Sequence, residues 1–84
     1  MEKKIVTLNN AEANIYGKLL DLRKAWFDAE DKLNDENYVT MFPIVNAYEK
    51  EYFTVRGFVM DAFNVSAQFI EELLTGKYEI RQEA

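Results

Sequence analysis

The chain contains no cysteine and no histidine. Without cysteine it can form neither a disulfide nor a thiolate metal site, and without histidine it lacks the commonest general base and the commonest ligand of transition metals. No apolar run approaches the roughly 18 residues of a membrane-spanning helix, and residues 1–10 lack the apolar region of a secretory signal. We therefore expect a cytoplasmic protein without cofactor, metal or membrane contact.

The 84 residues are enough for one small domain. Such a domain buries only about 60–65% of its unfolded surface and is marginally stable alone, so self-association is one way for it to gain stability. Aromatic residues make up 14% of the chain, and a core of this size cannot hide all of them. The net charge of −5 opposes contacts with phosphate groups. The composition favours protein partners over nucleic acid.

The first helix is predicted over about residues 10–33. Asn9 with Glu12 three residues later has the spacing of a capping box. Apolar residues then alternate at spacings of four and three, which predicts a helix packed against one neighbour: Ile15, Leu19, Leu22, Trp26, Ala29 and Leu33. A second apolar stripe, offset by about 100–140°, is interrupted by Arg23. We predict that this stripe mediates self-association into a helical-bundle dimer: Tyr16, Leu20 and Phe27.

The second helix is predicted over about residues 41–62, with Pro43 in its first turn, where a missing N–H is harmless. Its apolar stripe also alternates at four and three: Met41, Val45, Tyr48, Tyr52, Val55, Val59 and Ala62. Phe53 and Met60 lie off this stripe on one line, beside Glu49 and Arg56. Two apolar residues on an otherwise polar face of a helix are either covered by another element or exposed as a binding surface for a partner. We predict that these four residues bind a partner, and the alternative is an ordinary place in the core.

A short third helix is predicted over about residues 65–75, with Asn64 as its cap and Gly76 at its end. Residues 3–8 and 77–82 either pair as a small ribbon or fray. Residues 34–37 are a turn by composition and lack the alternating acids and the central glycine of a calcium loop. The fold expected is all-α, with two long antiparallel helices and a short third helix in one domain of residues 1–84.

Residues 54–77 carry apolar side chains at the positions that a helix-turn-helix needs: Val59, Phe63, Val65, Ile70 and Leu73. This segment resembles the helix-turn-helix of phage-repressor-like domains, and the resemblance implies a DNA-binding regulator. The recognition helix would offer Gln68 to a base but no cation before Lys77, and Met60 is large for a close helix crossing. DNA binding is therefore the alternative interpretation.

An enzyme is not expected, because the sequence has no phosphate loop, nucleophile elbow or zinc signature. Glu71 and Glu72 are adjacent, so on a helix they point about 100° apart and do not converge. By elimination we expect a non-enzymatic protein–protein interaction module, a small acidic adaptor or inhibitor that docks on another protein or protein complex. Short chains rich in Lys, Asn and Glu are similar in style to phage or mobile-element accessory proteins.

Overall fold

The structure is a computed structural model that describes residues 3–83. It is mostly helical, with two long helices packed together, a short third helix, and a small parallel sheet that joins the two ends of the chain. The all-α expectation therefore needs correction, because both terminal segments form strands. The elements in chain order are β1 (Lys4–Leu8), α1 (Asn10–Asp31), α2 (Tyr38–Phe63), α3 (Ala67–Leu74) and β2 (Tyr78–Gln82).

The start of α1 is the capping box that the sequence predicts. The Asn9 side chain accepts a hydrogen bond from the Glu12 N–H at 2.9 Å, and the Glu12 carboxylate accepts one from the Asn9 N–H at 2.9 Å. Two N–H groups that have no partner within the helix are thereby satisfied. The turn after α1 is held by Asn34 and Asn37, since each side chain accepts a hydrogen bond from the other residue's backbone N–H.

Helix α2 begins at Tyr38, earlier than the predicted residue 41. The asparagine turn is complete at Asn37, and the Asn37 carbonyl already accepts a hydrogen bond from the Met41 N–H at 2.8 Å. Pro43 consequently lies in the second turn rather than the first. Because proline has no N–H to donate, the carbonyl four residues earlier, at Val39, lacks its helical hydrogen bond.

The boundary between α2 and α3 differs from the prediction in one respect. Asn64 does not cap α3; it ends α2 in the left-handed conformation, with φ 53° and ψ 50°. The cap of α3 is Ser66, whose hydroxyl accepts a hydrogen bond from the Phe69 N–H at 3.1 Å. Asparagine tolerates positive φ better than most residues, which explains why it can make this turn. Gly76 ends α3 at φ 82°, as predicted.

One residue from each helix forms the centre of the core, namely Leu19, Tyr52 and Ile70. Leu19 and Tyr52 belong to the predicted apolar stripes of their helices, and Ile70 is one of the apolar positions of the segment 54–77. The partly buried side chains packed around this centre are Ile15, Leu22, Trp26, Val55, Val59, Met60, Val65 and Leu74. The short connection 32–37 makes α1 and α2 antiparallel neighbours. None of the three helices in residues 3–83 combines the length and the apolar character needed to cross a bilayer.

The sheet consists of β1 and β2 in parallel, with Val6 opposite Ile80 at its centre. Alternate side chains point to opposite faces, and Leu8 is buried whereas Ile5 is exposed. The side chain of Gln82 donates a hydrogen bond to Asn10 at 2.9 Å, which ties β2 to the start of α1. Both ends of the described chain are therefore fixed beside the helices.

Candidate functional site

Four polar side chains from the three helices meet beside the core, and we call them the Arg–Tyr–Glu cluster: Arg23, Tyr52, Arg56 and Glu71. The Tyr52 hydroxyl donates a hydrogen bond to Glu71 Oε1 at 2.5 Å, and Arg56 Nη1 donates to the same oxygen at 2.8 Å. Arg23 Nη1 donates to Glu71 Oε2 and, at 3.3 Å, to the Tyr52 hydroxyl. A single carboxylate on α3 thus joins groups from all three helices.

The surroundings shift the pKa of three members of this cluster. Burial by itself lowers the pKa of Arg23, but the hydrogen bonds to Glu71 and Tyr52 outweigh burial and raise it. Burial raises the pKa of the Tyr52 hydroxyl, and the hydrogen bond to Glu71 raises it further. Burial acts to raise the pKa of Glu71, but the hydrogen bonds from Tyr52 and the two arginines outweigh it and lower the pKa.

At neutral pH these shifts keep Glu71 ionised, Tyr52 neutral and Arg23 charged. Two guanidinium groups therefore face one carboxylate, and the cluster is locally positive in a chain of net charge −5. The Tyr52 side chain is fully buried, while the side chain of Glu71 is 33% exposed. The cluster consequently lies at the rim of the core rather than inside it.

Two exposed aromatic rings lie about one helical turn beyond this cluster, toward the connection between α1 and α2. Phe27 is 41% exposed and Phe53 is 40% exposed. Phe27 follows Arg23 by four residues and Phe53 precedes Arg56 by three, so both steps lead toward the connection between the antiparallel helices. The Trp26 ring contacts both phenylalanines, with centroid distances of 4.8 Å to Phe27 and 5.6 Å to Phe53. We call Trp26, Phe27 and Phe53 the aromatic face.

The arginines of the cluster also support the aromatic face. The Arg23 guanidinium lies 4.9 Å from the Phe27 ring centroid, and the Arg56 guanidinium lies 4.6 Å from that of Phe53. Both distances are within the range of cation–π attraction. Because Glu71 fixes the two guanidinium groups, the two exposed rings are held in place from α3. The aromatic face is therefore preorganised, although it is exposed.

The indole N–H of Trp26 is buried and has no hydrogen-bond partner among residues 3–83. A buried donor without a partner costs about 1–3 kcal/mol, and most buried polar groups in proteins avoid this cost. Trp26, which carries this unpaired donor, is the residue that contacts both Phe27 and Phe53.

The residues predicted to bind a partner have different environments. Phe53 is exposed, whereas Arg56 is bound to Glu71 and Met60 packs against the core. Glu49 is half-buried, and no hydrogen bond of its side chain is found within residues 3–83. The structure brings Phe53 and Arg56 together with an unpredicted residue, Glu71.

The residues predicted for self-association divide in a similar way. Phe27 belongs to the aromatic face, and Leu20 is half-buried. Tyr16 lines a partly open apolar cavity of about 70 Å³ between α1, the end of α2, and α3, where Phe63 and Phe69 also contribute to the wall. Tyr16 therefore lies where α3 packs, whereas Phe27 lies nearer the connection between α1 and α2.

Arg23 and Glu71 belong to the site although the sequence pattern did not predict them there. Arg23 interrupts an otherwise apolar stripe, and a charged residue at such a position needs a partner when it is buried. Glu71 directly follows the buried Ile70 and points back toward α1 and α2. The interruption at Arg23 was the available signal, but nothing in the sequence pattern indicated which acid would pair with it.

Comparison of the chain with protein-family models, with curated proteins and with solved structures finds no match in any of the three. The interpretation of the site therefore depends on its geometry alone.

Proposed function

We propose that this protein is a non-enzymatic protein–protein interaction module, a small acidic adaptor or inhibitor that docks on a larger partner protein through its aromatic face. The observation that carries the proposal is that Phe27 and Phe53 are exposed yet held on both sides, by Trp26 and by the anchored guanidinium groups. Exposed aromatic rings with arginine beneath them match the composition of the centres of protein interfaces.

Preorganisation strengthens this proposal. Binding immobilises side chains, and each rotamer-rich side chain that becomes ordered costs about 0.5–1.5 kcal/mol. Phe27 and Phe53 are already packed against Trp26 and stacked on arginine. They can therefore enter an interface with little further loss of freedom.

The charge around the face indicates the chemistry of the partner surface. The two arginines of the cluster share one carboxylate, so an uncompensated positive charge lies directly beneath the rings. We infer a partner surface that is apolar at its centre and carries acidic side chains at its rim, since such a surface complements both features. Phe42, eleven residues before Phe53 and on the same side of α2, is also exposed, and Asn46 and Glu49 separate it from Phe53.

The experiment that tests this function compares proteins captured from a cell extract by three immobilised variants. Wild-type protein is compared with the double variant Phe27→Ala/Phe53→Ala and with Phe58→Ala, a control whose ring is 71% exposed on another side of α2. We expect one protein to be retained by the wild type and the control and to be lost from the double variant. If all three variants retain the captured protein equally and have the same circular dichroism spectrum, the aromatic face does not bind that protein and the proposal is wrong.

DNA binding through residues 54–77 stays an alternative hypothesis with less support. The turn at Asn64 and the cap at Ser66 do separate two helices. However, Arg56 and Glu71 are bound to each other, and α3 itself contains no basic residue. Phosphate contacts would depend on Lys77 and Arg81, which are exposed after α3. DNA affinity that falls steeply between about 50 and 200 mM salt would support this alternative.

The self-association predicted for Tyr16, Leu20 and Phe27 also stays a prediction. A helical-bundle dimer through these residues would bury the aromatic face against a second copy. The wild-type protein would then resist capture of a partner at high concentration, because the two interactions would compete for Phe27.

A further inference from the structure

The strand β2 pairs with β1 along one side, and no strand within residues 3–83 pairs with its other side. The Glu83 N–H donates to the Leu8 carbonyl at 2.8 Å, so the backbone groups of Glu83 point toward β1. Because these groups alternate along a strand, those of Tyr78, Ile80 and Gln82 point to the unpaired edge. A row of backbone donors and acceptors at such an edge is a template for another strand.

The sequence of β2 is self-complementary about Ile80. If two copies pair antiparallel around a two-fold axis at Ile80, the two Ile80 residues exchange both of their backbone hydrogen bonds. Tyr78 then pairs with Gln82 of the other copy in the same hydrogen-bonded manner. Glu79 lies opposite the second copy's Arg81, and Arg81 lies opposite its Glu79. These are non-hydrogen-bonded positions, where the side chains of opposite residues come closest.

We propose that β2 pairs with β2 of a second copy of this chain, so that one continuous sheet runs through both copies. Charge complementarity favours a second copy of this chain as the partner strand, because the same axis that satisfies the backbone hydrogen bonds also places opposite charges face to face. Within one copy, Arg81 and Glu79 already form an exposed ion pair at 3.2 Å, so both side chains lie on the same open face of the sheet. An isolated sheet of two strands is marginally stable, and pairing with a second copy extends it.

The edge of β1 does not offer the same match. The backbone groups of Leu8 point toward β2, so those of Ile5 and Thr7 point outward. An axis at Val6 would place Lys4 opposite the apolar Leu8 of the second copy, without a charge partner. The complementarity is therefore specific to β2, and β2 is assigned as the edge that pairs.

A charge-reversal experiment with mixing tests this pairing. The variant Glu79→Arg carries two arginines at positions 79 and 81, and Arg81→Glu carries two glutamates there. Each variant alone places like charges opposite each other at the axis, whereas an equimolar mixture places every arginine opposite a glutamate. Mixing cannot restore the ion pair within a single chain, so any recovery reports pairing between chains. Solution mass is measured by light scattering, and native mass spectrometry identifies the composition of the dimer.

We expect wild-type protein to have the mass of two chains, each variant alone to shift at least tenfold toward single chains, and the mixture to recover a dimer with one chain of each kind. The controls Asp21→Arg and Lys18→Glu make the same changes in net charge on the exposed side of α1 and should behave as wild type. A wild-type single chain at all concentrations, or a dimer that neither variant weakens, would overturn the proposal.

This proposal does not depend on the aromatic face. The strand β2 and the aromatic face contain no common residue, and substitution of Arg81 leaves Phe27 and Phe53 unchanged. Arg81→Glu should lose the dimer and still bind the captured partner. Phe27→Ala/Phe53→Ala should lose the partner and still form the dimer. The two variants therefore show which of the two proposals fails.

Discussion

The Tyr52 hydroxyl donates a 2.5 Å hydrogen bond to the carboxylate of Glu71 and thereby links the middle of α2 to α3. Tyr52 is the most deeply buried large side chain among the described residues, whereas Glu71 reaches solvent. The bond therefore connects the core to the surface. The two arginines that share this carboxylate also support Phe27 and Phe53. Stability and the proposed binding surface depend on the same carboxylate.

Removal of the Glu71 carboxylate should destabilise the protein. Glu71→Ala leaves the two arginines and the Tyr52 hydroxyl without their common acceptor, and loss of one partner from a buried ion pair typically costs 3–5 kcal/mol. Because the Glu71 side chain is 33% exposed, solvent compensates part of this loss. We expect the free energy of unfolding to fall by about 1–3 kcal/mol, measured by urea denaturation. Glu72→Ala is the matched control, and an equal loss in both variants would argue against the cluster.

The lowered pKa of Glu71 predicts a loss of stability in acid. In the unfolded chain a glutamate has a pKa of about 4.3, and in the folded chain the pKa of Glu71 is lower. Its contribution is therefore fully present above pH about 4.3 and is lost as the pH falls through the folded value. We expect the difference in unfolding free energy between wild type and Glu71→Gln to shrink below that pH. A constant difference across the acid range would contradict the assignment.

The raised pKa of Tyr52 predicts the opposite behaviour at high pH. An unfolded tyrosine ionises near pH about 10, whereas the folded hydroxyl resists ionisation. Its stability contribution is present below pH about 10 and is lost as the pH rises through the folded value. Tyr52→Phe should lower the free energy of unfolding by about 0.5–1.5 kcal/mol at neutral pH. Above pH about 10 the free energy of unfolding of this variant should fall less steeply with pH than that of the wild type. Chemical denaturation at several pH values measures both effects.

Two helical glycines lie where alanine has room. An added Cβ at Gly17 or at Gly57 would have no neighbouring atom within 4 Å. Each substitution to alanine should raise the unfolding free energy by up to about 1 kcal/mol, since glycine is the poorer helix former. Thermal denaturation checks this. A variant that gains stability but no longer binds the captured partner would show that the glycine lies in an interface. A loss of stability would contradict the finding that an added Cβ has no neighbouring atom within 4 Å.

The sequence predicted the helices because their apolar periodicity reports directly on burial. The stripes that contain Leu19 and Tyr52 meet in the core together with Ile70, and the capping box at Asn9 forms as expected. The pairing of β1 with β2 in a parallel sheet could not be predicted from the sequence in this way. Its strands lie at opposite ends of the chain, and a short strand such as residues 4–8 has no periodic signal that identifies so distant a partner.

The candidate site was predicted in part for a related reason. Phe53 and Arg56 were identified as residues off the main stripe, and the structure places them side by side. The sequence indicates only that Glu71 and Glu72 do not converge, since local spacing cannot show that a carboxylate points back to α1 and α2. Asn64 is a good cap by residue type, but it ends α2 in the left-handed conformation and Ser66 caps α3 instead. Long-range pairing and the choice between neighbouring caps both require the packed structure.

The most direct test of the central claim uses Trp26, the only tryptophan in the chain and the centre of the aromatic face. The measurement is acrylamide quenching of Trp26 fluorescence, alone and after addition of the protein captured by the wild type, produced with its own tryptophans replaced. We expect quenching to decrease on binding, because docking covers Phe27 and Phe53 and closes access to the indole. Binding that leaves the quenching of Trp26 unchanged would contradict the account.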